Sequence, residues 1–246
     1  MKRIALLSDI HGNIVALEAV VQDILKRNID QVINLGDHIS GPLWPKETMQ
    51  FLMKQDWIHI AGNHDKNLVF HDPDKMGASD KYVFPFLNEE EKDWLHSMPE
   101  NLITSEGFRL FHATPDNNNT YLLETVEHGT VRLATISEIS DRLGSNTSKT
   151  VFCGHTHIQR VVELPDNVLI VNPGSVGCPA YDDITPEYHV VETGSPNARY
   201  AIVDFDLEIR SIELISVSYD FMLAAKKAQE NDRFDWVKGL KTGYMN

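Results

Sequence analysis

Apolar positions along this chain switch between two periods. Residues 2–8 start basic and hold an apolar run at 4–7, and read as a buried strand. Residues 13–27 place apolar side chains at 14, 17, 20, 21, 24 and 25, the spacing of one helix face. Residues 31–35 read as a short strand ending at Gly36-Asp37. Residues 45–54 read as a helix with proline in its first turn, and residues 57–61 as a third strand ending at Gly62-Asn63. This β-α-β-α-β order predicts parallel strands covered by helices.

The rhythm breaks after that. Residues 66–107 hold a short acidic helix at 88–96, and residues 108–112 return as a strand. Residues 114–119 are a loop by composition, and residues 122–143 are expected to be mostly helical with a break at Gly129. The segments 66–107 and 115–147 are expected to form a small helical cap, with Met76, Tyr82, Phe84, Phe86 and Trp94 as its core. Strands follow at 149–153, 168–171, 198–205 and 209–218, the last two as an antiparallel hairpin, and a helix at 219–231 closes the chain. No repeat or linker divides the sequence, so residues 1–246 are read as a single α/β domain.

The polar punctuation between these elements carries the chemistry. Asp9-x-His11, Gly36-Asp37, Gly62-Asn63-His64-Asp65, His112 and Gly154-His155-Thr156-His157 each follow an apolar run. They offer two carboxylates (Asp9, Asp37), one amide (Asn63) and four imidazoles (His11, His112, His155, His157), with His64 left over. In an extended chain Asp9 and His11 share one side. Strand carboxyl ends are where α/β sheets place their sites. Oxygen and nitrogen donors without thiolate suit a pair of divalent metals, Mn or Fe first, with Zn, Co and Ni also compatible. Two metals beside a free histidine suggest hydrolysis of a phosphate ester or anhydride.

Charge and cysteine content narrow the setting. The formal net charge of −14 argues against a dedicated nucleic-acid partner, but not against a small anionic phosphate substrate, because bound metals reverse the field locally. The first apolar stretch, residues 4–7, is too short for a signal-peptide core, and no run reaches a membrane span, so a cytoplasmic location without membrane association is expected. Cys153 and Cys178 are read as two buried thiols.

These segments resemble the calcineurin-like metallophosphoesterase superfamily, whose pattern is D-x-H, G-D, G-N-H-[DE], H and G-H-x-H. The likeness runs from Asp9 to His157 and extends through the loop at residues 172–177, and is greatest to the compact bacterial and archaeal phosphodiesterases. It implies a four-layer sandwich of two mixed β-sheets flanked by helices. It further implies one metal on Asp9, His11, Asp37 and His157, and a second on Asp37, Asn63, His112 and His155, with Asp37 bridging. Hydroxide held between metals about 3.5–4 Å apart would attack phosphorus. His64 would bind the phosphoryl group or protonate the leaving oxygen. His38, Asn172, Gly174 and Ser175 are candidate substrate contacts.

Departures from the pattern bear on the substrate. Protein phosphatases of the superfamily read G-D-x-x-D-R-G, whereas this chain has Ser40-Gly41 in place of Asp-Arg. Related phosphodiesterases often read N-P-G-S-V-G-Q-P-R, whereas Cys178 and Ala180 stand at the Gln and Arg. The missing phosphate clamp favours diesters or anhydrides over monoesters and protein substrates, with Arg199 and Lys66 as cations that could still reach in. The inserted residues 181–196, including His189, read as an exposed acidic loop, the alternative being a substrate-selecting rim. A non-catalytic scaffold is the remaining rival, and retention of His64 with every ligand weighs against it.

Overall fold

The computed structural model describes residues 1–245, and its first elements are β1 (Lys2–Leu7), α1 (Ile14–Ile24), β2 (Gln31–Asn34), α2 (Pro45–Leu52) and β3 (Ile58–His59). The middle contains α3 (Asn63–Phe70), α4 (Ala78–Val83), α5 (Glu89–His96), β4 (Asn101–Ile103), β5 (Phe108–Phe111), β6 (Glu124–Glu127), β7 (Thr130–Leu133) and α6 (Ile136–Leu143). Next come β8 (Thr150–Phe152), β9 (Gln159–Glu163), β10 (Leu169–Pro173), β11 (Ala180–Asp183) and β12 (His189–Glu192). The chain closes with β13 (Ala198–Asp206), β14 (Glu208–Val217), α7 (Phe221–Glu230) and α8 (Phe234–Thr242).

Two five-stranded mixed sheets result, ordered β14-β13-β1-β2-β3 and β4-β5-β8-β10-β9. Strands β1, β2 and β3 run parallel, as do β5, β8 and β10, and antiparallel strands complete both sheets. Alternation along β1 explains the stacking. Ile4 and Leu6 enter a core shared with Phe108, Leu110, Phe152 and Val171 of the other sheet. Ala5 and Leu7 enter a second core with Leu17 and Val20 of α1 and Ala224 and Ala228 of α7. Each fully buried Leu, Ile or Phe contributes about 1.5–3 kcal/mol, so the intersheet cluster fixes the stack. A third cluster packs Leu123, Ile139 and Leu143 on Phe111, Val151 and Ile170, giving the outer layer on the other side. The expected sandwich of two mixed sheets is therefore the observed fold. No helix among the described residues is long and apolar enough to cross a membrane.

Several expectations need correction. Residues 122–143 are not mostly helical: β6 and β7 form a hairpin, and only α6 is a helix. The β-branched Thr125, Val126, Thr130 and Val131 favour strand, and His128 and Gly129 at φ 54° and 72° make the turn between them. The acidic insertion is likewise a hairpin, β11 against β12, with its Ile184–Tyr188 tip side chains exposed but His189 only 1% exposed. Of the two segments, the first holds helices α3–α5 and the second holds the β6–β7 hairpin and α6. Val83, Leu95, Leu68 and Ala61 form a core at α3–α5, joined by Tyr82, Phe84 and Trp94, whereas Phe86 is 45% exposed. Finally, α8 follows the closing helix and was not expected.

Candidate metal centre

Carboxyl ends of parallel strands from both sheets converge at one place. The chain leaves β1 at Asp9, β2 at Asp37, β3 at Asn63, β5 at His112 and β8 at His155. Asp9 and His11 do not share a side by strand alternation as expected. They sit in a turn, and Asp9, His11, Asp37, His155 and His157 have left-handed φ values of 55°, 50°, 56°, 71° and 59°. Each such non-glycine residue costs about 1–3 kcal/mol, so the loops must be held from outside. They are: Asp9 N–H donates to Gly36 O (2.9 Å), His11 N–H to Asp37 O (3.0 Å), Gly154 N–H to His112 O (2.7 Å) and Gly177 N–H to Asp9 O (3.0 Å). Two glycines make the closest approach. A Cβ on Gly36, which is at φ 107°, would lie 2.6 Å from Gly62 N, and one on Gly62 would overlap the Asp37 carboxylate.

The side chains form two groups, Asp9/His11/His157 and Asp37/His112/His155, the donor atoms of each lying within 4.8 Å of one another. His157 Nε2 is 3.3 Å from Asp9 Oδ1, and His112 Nε2 is 3.3 Å from Asp37 Oδ2. The Nδ1–H of His11, His157 and His112 donates to the carbonyls of Ser40, Cys178 and Leu35, each at 2.7 Å. A carbonyl can only accept, so those Nδ1 atoms carry protons and Nε2 turns inward. His11 Nε2 and His157 Nε2 face each other at 3.1 Å. Asp9 Oδ1, Asn63 Oδ1, His112 Nε2 and His155 Nε2 are buried with no hydrogen-bond partner. Buried polar atoms are seldom left unpaired, and these all belong to residues expected to hold metal. Donor spacings of this kind, from nitrogen and oxygen, fit two divalent cations.

The electrostatics agree. Burial pushes His11 down to about 4 and His155 down to about 3, aided by the facing His157 and His112, which keeps both imidazoles neutral as ligands must be. Burial alone would also lower His112, but Asp37 and Asp9 outweigh it and raise it to about 9. Burial would raise Asp9, and His157 and His112 hold it at about 2. Two buried carboxylates therefore impose a negative field that cations answer.

His64 borders these groups without joining them. Its backbone N–H donates to Asp37 Oδ1 (3.0 Å), and its ring lies 5.5 Å from that of His11. Its Nδ1 lies 2.7 Å from Oδ1 of Asp80, which is 1% exposed and also accepts from Ser40 Oγ and from Asn67 Nδ2 (3.0 Å). Burial would lower the His64 pKa, but Asp37 and Asp80 outweigh it and raise it to about 10. Asp65 is a second residue that motif reading left without a role. Its carboxylate accepts from the backbone N–H groups of Asp37 (2.8 Å), His38 (3.1 Å) and Gly62 (2.9 Å), tying two ligand loops together.

The four candidate substrate contacts lie elsewhere. His38 is fully buried and turned away, with Nδ1 on Asp65 (2.8 Å) and Nε2 on His59 (2.9 Å). Asn172 braces the Gly154 carbonyl (2.8 Å), its Oδ1 accepts from Gly174 N–H (2.8 Å), and Ser175 Oγ donates to the Asp9 carbonyl (2.7 Å). These residues build the ligand loops from beneath because their hydrogen-bonding atoms are already used on backbone. Arg199 is spent on the carbonyls of Thr193, Ser195 and Asn197, and Lys66 pairs with Glu100.

The cavity above the metal groups, about 230 Å³, is instead walled by Tyr121, Tyr181, Arg233 and Trp236. Tyr181 lies edge-on to His157 at 4.6 Å between ring centres and shares a 2.7 Å hydrogen bond with Tyr121, which in turn meets His189 Nε2 at 2.9 Å. So the insertion supplies a wall, and His189 supports it from behind. Asp80, Tyr121, Tyr181, Arg233 and Trp236 carry no local motif, and only the fold brings them here.

Residues 1–195 match the calcineurin-like phosphoesterase superfamily domain. The chain belongs to that superfamily. It is 27% identical over 256 residues to the uncharacterized protein MJ0912 of Methanocaldococcus jannaschii, covering 95% of each chain. Its fold is similar to that of a metallophosphoesterase from Sphaerobacter thermophilus (TM-score 0.76, 22% identity, 99% of both chains). It is equally similar to the hypothetical protein PH1004 from Pyrococcus horikoshii OT3 (TM-score 0.75, 21% identity, 100% of both chains). This member of the superfamily thus carries two His/Asp groups that could hold metal, while β13, β14, α7 and α8 lie beyond the residues that match the family domain.

Proposed function

We propose that this phosphoesterase hydrolyses phosphodiester or nucleotide phosphoanhydride bonds with two divalent cations, Mn or Fe first. Asp9, His11 and His157 would hold one cation, and Asn63, His112 and His155 the other, with Asp37 between them. The observation that carries the reading is the set of unpaired buried donor atoms on Asp9, Asn63, His112 and His155, two of which, Asn63 and His155, line a cavity that also exposes His64. When bound, such cations supply an activated water nucleophile and neutralise phosphoryl charge.

The chain's own groups do the rest. Asp80 takes Nδ1 of His64, leaving Nε2 as the ring atom that can hold a proton toward the leaving oxygen. Tyr121 and Tyr181 shield the metal ligands from water on one side. Asp182, Asp183 and Asp235 also line the cavity and penalise a second phosphate charge, which supports a monoanionic diester over a dianionic monoester. We read the substrate as a small nucleotide-type anion, since a formal net charge of −14 disfavours a long polyanion.

The deciding experiment is a metal-by-substrate panel. It covers cyclic nucleotides, dinucleoside polyphosphates, nucleoside triphosphates, an aryl diester and an aryl monoester. Turnover of diesters or anhydrides above the monoester is expected with Mn²⁺ or Fe²⁺. A monoester preference would overturn the substrate class, and no turnover with any divalent metal would leave a scaffold.

A further inference from the structure

Among the described residues that line the cavity there is one lysine or arginine side chain, and it is Arg233. It lies just before α8, beyond the residues that match the family domain. Its guanidinium is fixed on two sides. Nε and Nη2 donate to the Asp235 carboxylate at 2.9 and 2.6 Å, and Nη1 and Nη2 reach Ser79 Oγ at 3.3 Å. It rests 5.8 Å from the Trp236 ring, whose centre is 5.9 Å from that of His11. A guanidinium has five N–H donors, so one hydrogen on Nη1 remains for a further acceptor.

The same helix explains a gap in the second motif. A Cβ on Gly41 would lie 3.0 Å from Trp236 Cη2 and 2.6 Å from the His11 carbonyl. A side chain at position 41 is excluded first by the His11 carbonyl, and Trp236 closes the space beside it. The arginine directly precedes the helix that carries Trp236.

We propose that Arg233 anchors a non-reacting phosphoryl oxygen of the substrate, which makes α8 part of the binding site; the proposal rests on the phosphoesterase reading. Asp182, Asp183 and Asp235 repel an incoming anion, and Arg233 is the arginine of the described lining that offsets them beside His64. Because Asp235 holds Arg233 in the free protein, phosphate must compete with that carboxylate.

The test uses Mn²⁺-loaded protein, inorganic phosphate as the titrated probe, and an aryl phosphodiester for kinetics, with metal content measured on every variant. Arg233→Met keeps an apolar stem against Trp236. It is expected to weaken phosphate binding at least about tenfold, the loss of one charge-assisted contact, and to raise KM more than it lowers kcat. Asp235→Asn is expected to tighten phosphate binding about threefold or more, a gain that mere structural damage would not produce. Phosphate affinity in Arg233→Met equal to wild type, at equal metal content, overturns the anchor. If wild type cleaves no ester yet Arg233→Met still loses phosphate, the hydrolytic reading fails and the anchor stands.

Discussion

His64 and Asp80 meet at 2.7 Å, Nδ1 to carboxylate, from two different helices. Protein phosphatases of the superfamily carry an aspartate where this chain has Ser40. Here the Ser40 hydroxyl instead donates to Asp80, and Nδ1 of His64 lies 3.3 Å from the same hydroxyl. The carboxylate absent from the motif is thus supplied by α4, and it fixes the tautomer of the histidine beside the metal groups.

Asp80→Asn keeps the shape but removes the charge. It is expected to lower kcat by about tenfold to a hundredfold, within the range of a general acid's contribution, with metal content unchanged. Ser40→Ala removes a supporting bond only and should cost less. Steady-state kinetics with elemental analysis checks both, and an unchanged kcat in Asp80→Asn would show that the contact does not position His64.

His64→Ala removes the proton-bearing group itself. Since His64 is not among the grouped donor residues, the variant should bind both metals and lose at least about a hundredfold in kcat. Full activity would exclude His64 from the chemistry.

Metal removal should be felt in stability. Without cations, the carboxylates of Asp9 and Asp37 and the free nitrogens of His112 and His155 are buried together. A ligand at a hundredfold its Kd stabilises by about 2.7 kcal/mol, and a domain of this size gains about 2–4 °C per kcal/mol. Chelation should therefore lower Tm by about 5–10 °C per site, and Mn²⁺ should restore it. A Tm that ignores both chelator and metal would contradict the two-cation centre.

Much of the site was legible because its donors follow strands in fixed local motifs: Asp9-x-His11, Gly36-Asp37 and Gly154-His155-Thr156-His157 can be read one segment at a time. The sheets were legible because Ile4/Leu6 and Ala5/Leu7 alternate between two cores. What escaped depends on distant contacts. Tyr121, Tyr181 and Arg233 line the cavity, and Asp80 meets His64, only once distant segments of the chain come together, and no local spacing encodes that. His38 misled because adjacency to Asp37 says nothing of direction, and Asp65 draws it inward. The hairpin at 124–133 escaped because its alternating residues were merged with the helical run of α6.

His59 gives a pH dependence separate from the metal ligands. Its Nδ1 meets Nε2 of His38 at 2.9 Å, between Trp57 and Trp94. Burial, helped by the neighbouring His38, pushes it from its ordinary value of 6.5 down to about 3. In the unfolded chain it takes a proton below about pH 6.5, whereas in the fold it stays neutral until about pH 3. Its contribution to stability is therefore whole above pH 6.5 and is lost progressively as pH falls toward 3. The slope is at most about 1.4 kcal/mol per pH unit, or about 2 kcal/mol by pH 5. His59→Gln keeps a hydrogen-bonding partner for His38 but cannot titrate. In chelator, urea unfolding of wild type between pH 7 and pH 5 should lose more stability than the variant does. The comparison cancels the ligand histidines, which both proteins share. Parallel pH profiles would show that His59 is protonated in the fold as readily as in the unfolded chain.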